Sequence, residues 1–182
     1  MKKQKKETGR VVAVCRSPTA GLLKQPEDQI LIGRYGVEGD AHAGPKRRSR
    51  RTGLIKRNDR QISVVAKEVI DDLQRRFGIA IPHGGFGENI LVEGIGDLSN
   101  LSEGDQLSFE SGVVVEVTEQ NEPCANLNVW HKRVLYEVMG KRGIVGVVKK
   151  GGTLRPGDAV AIKIGRSRGR FPSAAENNND II

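Results

Sequence analysis

Cysteine is scarce in this chain, with only Cys15 and Cys124 among 182 residues. Two cysteines cannot build a disulfide framework, and these stand in no metal-knuckle spacing, so neither a stapled secreted scaffold nor a zinc finger is expected. Aromatic residues are also sparse, at 4%, which leaves little surface for stacking nucleic-acid bases. No apolar run approaches the roughly 20 residues that a bilayer-spanning helix needs. The basic start MKKQKKETGR is followed by no signal-type apolar stretch, and the chain reads as cytosolic.

What the chain has in quantity is glycine, 23 residues, and cationic side chains, 30 Lys and Arg against 22 Asp and Glu for a formal charge of +8. Frequent glycines between short Val- and Ile-rich runs favour a turn-rich β architecture over a helical bundle. A hydrophobic fraction of 37% suffices for one core, and the length suits a single domain. Positive charge concentrates in stretches 2–6, 46–60 and 166–170, while the body between is nearly balanced. Only one aromatic, Phe171, adjoins such a stretch. The charge therefore reads first as solvated basic segments, and only secondarily as a surface for nucleic acid or another polyanion. The expected organisation is a basic, flexible N-terminus over 1–9, one domain over 10–165 carrying a basic loop at 45–60, and a disordered polar tail over 166–182.

Periodicity supplies the elements. Stretches 10–15 (RVVAVC), 30–32, 61–65, 88–93, 107–109, 113–118, 143–149 and 159–164 read as strands, and 113–118 (VVVEVT) is the strongest. Ala66, Val69, Ile70, Leu73 and Phe77 fall on one helical face, and Gly78 offers a stop. A second helix is predicted over 126–139, with Leu127, Trp130, Val134, Leu135 and Val138 on one side and Gly140 closing it. His131 on that helix reads as a surface residue. Between 45 and 60 stand eight Lys or Arg and one acid with almost no apolar pattern, which predicts an exposed, mobile loop. Gly-Asp pairs at 104–105 and 157–158 each precede a strand, and both aspartates are read as structural turn residues.

Three loops concentrate the residue types that carry chemistry. In Glu122-Pro123-Cys124-Ala125-Asn126, Cys124 follows the strongest strand and is placed to open the second helix. Amides at a helix N-terminus stabilise a thiolate, which makes Cys124 a candidate nucleophile or metal ligand; the alternative is a small buried hydrophobe. Cys15 ends an apolar strand with no polar cluster beside it and is assigned to the core. In 36–44 (GVEGDAHAG), Asp40 stands two residues before His42 between glycines. It either orients the imidazole as a base or stabilises a turn, and both readings stay open. In 83–89 (HGGFGEN) the glycine spacing fits neither a Walker loop nor a dinucleotide fingerprint. Gly87, Glu88 and Asn89 there either hold a polar heterocycle or form a tight structural turn. His42, His83 and Cys124 match no compact zinc-ligand pattern.

Taken in chain order, these segments resemble the MOSC family, named after the C-terminal domain of molybdenum-cofactor sulfurases. The matching features are G-V-E-G-D-A-H-A-G at 36–44, R-Q at 60–61, G-x-F-G-E-N at 84–89, L-x-x-G-D at 101–105, P-C at 123–124, R-G at 142–143 and G-D at 157–158. They span roughly 10–164, nearly the whole of the expected domain. The resemblance implies a mainly β, barrel-like domain with a few peripheral α-helices. It also implies that Cys124 is the reactive thiol, as sulfur carrier or molybdenum ligand, with Asp40 and His42 moving protons or positioning the ligand. Gly87, Glu88 and Asn89 would line a molybdenum cofactor (molybdopterin), and Arg60 with Arg142 would pair with its phosphate, since guanidinium forks suit phosphate oxygens. The activities implied are oxidoreduction, including of N-hydroxylated compounds, or sulfur transfer, with a cysteine desulfurase or an acceptor protein as partner. The alternative is a sulfur or metal-sulfur carrier with no chemistry of its own. Pyridoxal phosphate is not expected, because 182 residues leave no room for a desulfurase domain.

Overall fold

The computed structural model describes residues 8–49 and 51–165. The tail expected over 166–182 lies outside them, as do residues 1–7; Thr8 and Gly9 already belong to the first strand.

In chain order the elements are β1 (Thr8–Arg16), β2 (Gln25–Glu27), β3 (Ile30–Gly33), β4 (Gly36–Val37), β5 (Lys46–Arg48), β6 (Ile55–Arg57), β7 (Ile62–Ala66), α1 (Lys67–Phe77), β8 (Ile90–Glu93), β9 (Gln106–Phe109) and β10 (Val114–Gln120). A 3-10 turn over Ala125–Val129 follows, then α2 (Val134–Glu137), β11 (Ile144–Lys150), β12 (Gly152–Leu154) and β13 (Ala159–Lys163). β1, β13, β9, β10, β11, β7 and β8 pair in that order, and β8 returns to β1, so seven strands close into a barrel. Closure removes the sheet edges that would otherwise expose unpaired amides. Among the described residues only β7 and β8 run parallel; parallel neighbours need a crossover, and α1 with the loop after it supplies one.

Alternation explains the strands. β9 and β10 place Leu107, Phe109, Val115 and Val117 inward, and the polar residues between them point out. β7 and β8 are buried almost throughout, as is usual where a parallel pair is covered on both faces. α1 buries Val69, Ile70 and Leu73 against them and stops at Gly78, whose φ of 62° is open to glycine at no steric cost.

Two segments differ from the sequence expectation. The basic stretch 45–60 forms an antiparallel ribbon, β5 with β6, in place of a mobile loop. It carries no apolar stripe for periodicity to detect; ladder hydrogen bonds and Arg47 and Lys56 closing on Asp59 hold it. The second helix is interrupted: residues 125–129 make a 3-10 turn and only Val134–Glu137 is α-helical. Asn128 Oδ1 accepts from the Leu135 amide, and Trp130 Nε1 donates to the Gly85 carbonyl at 2.9 Å. A side chain that bonds the backbone competes with the helical ladder, and here it wins.

One end of the barrel collects the motifs. Val14 pairs with Ile90, Ile90 with Val64, Val64 with Ile144 and Ile144 with Gln120. β1 and β10 therefore leave the barrel at the rim where β7, β8 and β11 enter it. The loops carrying Asp40, Glu88 and Cys124 all attach to that rim.

Candidate functional site

The floor of the rim is a buried ion pair. Lys24 Nζ lies 2.7 Å from Asp40 Oδ2, with side chains 2% and 1% exposed. Asp40 is saturated: Oδ2 also accepts from the Ser17 amide and from Asn89 Nδ2, while Oδ1 accepts from the His42 amide at 2.9 Å and lies 3.3 Å from His42 Nδ1. Burial alone would raise its pKa, but the His42 bonds and the Lys24 ammonium outweigh that and hold the carboxyl well below the usual range. Burial acts on Lys24 too and lowers its pKa despite Asp40. Asp40 thus does both things its sequence allowed, fixing a turn and orienting a half-exposed imidazole.

Glu88 is fully buried. Its oxygens accept from the Gly84 amide at 2.7 Å and the Phe86 amide at 2.9 Å, drawing the glycine loop around the carboxylate. Burial pushes its pKa up, against the pull of those amides. Asn89 bridges strands: Oδ1 accepts from Ser63, and Nδ2 donates to the Cys15 carbonyl and to Asp40. Gly87 takes a φ of 76°, and its carbonyl accepts from the Ser63 hydroxyl. Gly84 fits where it does because a Cβ there would stand 2.0 Å from the Lys24 carbonyl oxygen. The first two loops are therefore one hydrogen-bonded unit.

Two guanidinium groups connect the third. Arg60 Nη1 pairs with Glu119 at 2.6 Å, and Nη2 donates to Asn121 Oδ1 at 2.7 Å. Arg142 donates to the Glu122 and Phe86 carbonyls and approaches the same Asn121 oxygen at 3.5 Å. Trp130, bonded to Gly85, closes the other side. Cys124 sits between these anchors, half-buried, in an extended conformation (φ −127°, ψ 156°) as the residue that caps the 3-10 turn. Among the described residues its thiol makes no hydrogen bond. The expectation that an α-helix starts at Cys124 is corrected: a single 3-10 turn follows, too short to supply the amide field on which that argument rested. Cys15, by contrast, is wholly buried in the core, as its sequence indicated. Burial, with Glu88 nearby, pushes its pKa up to about 12.

Among the described residues no group of three or more His, Cys, Asp or Glu is arranged to hold a metal ion. His83 lies apart, lining a cavity of about 430 Å³ between α1 and 81–83 with Lys67, Asp71 and Gln74. The sequence reading missed Lys24, Asn58, Ser63 and Asn121. Asn58 donates to the carbonyls of His42 and Gly44 and fastens the first loop to the ribbon. None of the four carries a local signal; Asn121, three residues before Cys124, was the most discoverable.

A closed β-barrel with three chemistry-bearing loops tied at one rim defines the class, and the family comparison agrees: the MOSC domain matches residues 38–161. The chain belongs to the MOSC domain family. It is 26% identical over 177 residues, 87% of this chain and 92% of the relative, to YuaD of Bacillus subtilis (strain 168), whose name suggests a role in metal-sulfur cluster biosynthesis. The crystal structure of that YuaD superposes with a TM-score of 0.78 at 25% identity, covering 87% of this chain and 97% of YuaD. YiiM from Escherichia coli shares the fold at a TM-score of 0.60 and 20% identity, over 86% of this chain and 70% of YiiM. YiiM from Geobacillus stearothermophilus does so at 0.59 and 20%, over 86% and 73%. Among the described residues no helix is long and apolar enough to cross a membrane.

Proposed function

We propose that this chain is a sulfur-handling MOSC protein whose reactive group is the Cys124 thiol and whose ligand is an anionic pterin of the molybdenum-cofactor type. The observation that carries the reading is the tying of three loops to one rim with the half-buried Cys124 among them, while the second cysteine is sealed in the core. The donor set fits such a group in kind. It offers one soft thiol for a metal or a sulfur atom, and two guanidinium groups meeting at Asn121, of which Arg60 is paired with Glu119 and would exchange that carboxylate for an anion. Bound there, the cofactor would supply metal-centred redox and sulfur chemistry. Asp40 holds His42 in one orientation, so that a proton can be taken or given at the imidazole Nε2 facing away from it. Glu88 and Asn89 hold the backbone of both loops in shape.

Expression in a cofactor-producing host and in one lacking cofactor synthesis tests this. Molybdenum and pterin should co-purify from the first only, and Cys124→Ser should reduce the metal content severalfold. Undenatured protein from the producing host that holds neither counts against the ligand. A second reading, a carrier that presents Cys124 to a partner protein, is favoured by the exposed Val129, Tyr136 and Met139 just after it. It predicts a persulfide on Cys124 detectable by mass spectrometry without any bound pterin.

A further inference from the structure

The β5–β6 ribbon stands apart from the thiol chemistry. Its register places Lys46 opposite Arg57, Arg47 opposite Lys56 and Arg48 opposite Ile55. Like charges directly opposed across an antiparallel pair destabilise it, so each of the first two pairs calls for an anion. One has it: Arg47 and Lys56 close on Asp59 at 2.6 and 2.8 Å. The other face, with Lys46, Arg48 and Arg57, has no acidic side chain in contact among the described residues, nor does Arg51 in the turn. All four are exposed, and at the same end of the ribbon Leu54 in the turn and Ile55 opposite Arg48 expose 69% and 57% of their surface.

We infer that this unneutralised face binds the phosphate backbone of double-stranded nucleic acid, without sequence preference. A two-stranded ribbon has the width that a duplex groove admits, and its cations replace condensed counterions on the phosphates. The ribbon carries no aromatic side chain on which bases could stack, which argues for a duplex over a single strand. The exposed apolar tip matches ribbons that bring an aliphatic wedge to a groove. An acidic protein surface offers a lower and less regular charge density to the same four cations.

The test is fluorescence anisotropy of the full chain with a labelled mixed-sequence DNA duplex of about 20 base pairs, across roughly 50–200 mM salt. Four phosphate contacts set a slope near −3.6 in log affinity against log salt, a loss of roughly 150-fold over that range. The variant K46Q/R51Q/R57Q leaves Arg48 in place, because it holds the Gly53 carbonyl at 2.7 Å. Its slope should be shallower by about 2.7, with thermal unfolding unchanged. A control, K132Q/K149Q/K163Q, removes the same charge from exposed lysines elsewhere and should keep the wild-type slope. The inference is overturned by no duplex binding at the lowest salt, by a ribbon variant with the wild-type slope, or by a control that loses as much. It is equally overturned if poly-L-glutamate of matched charge displaces the duplex at equal charge concentration, since the ribbon would then serve an acidic protein.

Discussion

Replacing Asp40 by Asn tests the foundation of the site. The change keeps the shape but leaves the Lys24 ammonium, 2% exposed, without its counter-charge. It also turns an amide group toward either the Ser17, Asn89 and Lys24 donors or the His42 amide. Removing one partner of a buried ion pair costs roughly 3–5 kcal/mol, because the desolvated survivor has nowhere to go. For a domain of this size, roughly 2–4 °C per kcal/mol, the midpoint should drop by about 6–20 °C. Lys24→Met should cost a comparable amount, since Asp40 loses its shortest contact. The double variant, with no orphaned charge, should be less destabilised than the two singles added, by at least about 2 kcal/mol. Urea unfolding of all four proteins near neutral pH measures this cycle. A cost below about 1 kcal/mol for Asp40→Asn, or strict additivity in the double variant, would refute a coupled, water-excluded pair.

Three further outcomes are expected. Iodoacetamide should alkylate Cys124 and spare Cys15 in the folded protein, because Cys15 is fully buried with its thiol pushed up to about 12; mass spectrometry of the peptides reads the site, and equal labelling of both would contradict the burial. Glu88 has its folded pKa raised above the ordinary 4.5. The native state therefore holds that proton more tightly than the unfolded chain, and the stability gained is full below 4.5 and lost as pH rises through the folded value. Urea unfolding across that window should show a falling contribution in the wild type that Glu88→Gln lacks, and parallel profiles would overturn it. Gly85→Ala places a Cβ 2.7 Å from Ile81 Cγ2 and the Pro82 carbonyl oxygen and 3.2 Å from the Trp130 ring. It should cost about 1–3 kcal/mol and shift Trp130 fluorescence, whereas unchanged emission would mean that the ring does not pack there.

Local pattern made most of the barrel readable. The strands around Val11, Val64, Leu91, Val115, Val145 and Val160 were visible because alternation and β-branching follow directly from a half-buried pleated surface. α1 was equally plain, with a full apolar stripe and a glycine stop. Where stabilisation came from side chains bonding distant backbone, the pattern was silent or misleading. The ribbon at 46–57 has no apolar periodicity, and the helix after Cys124 was broken by Asn128 and Trp130, whose partners lie 7 and 45 residues away.

The sequence by itself determined the β-rich class, the order of the motif loops, the structural roles of Asp105 and Asp158, and the family. Those properties depend on short-range periodicity, turn chemistry and residue identity. Only the tertiary structure decided that Lys24 is the counter-ion of Asp40, that Glu88 folds the glycine loop around itself, and that Arg60 and Arg142 meet at Asn121, three residues before Cys124. The Lys24 and arginine contacts depend on closing the barrel, which brings positions 16 to 61 residues apart into hydrogen-bond distance and removes water from some of them, while Glu88 reaches only two and four residues back. A chain that has not folded contains no such distances.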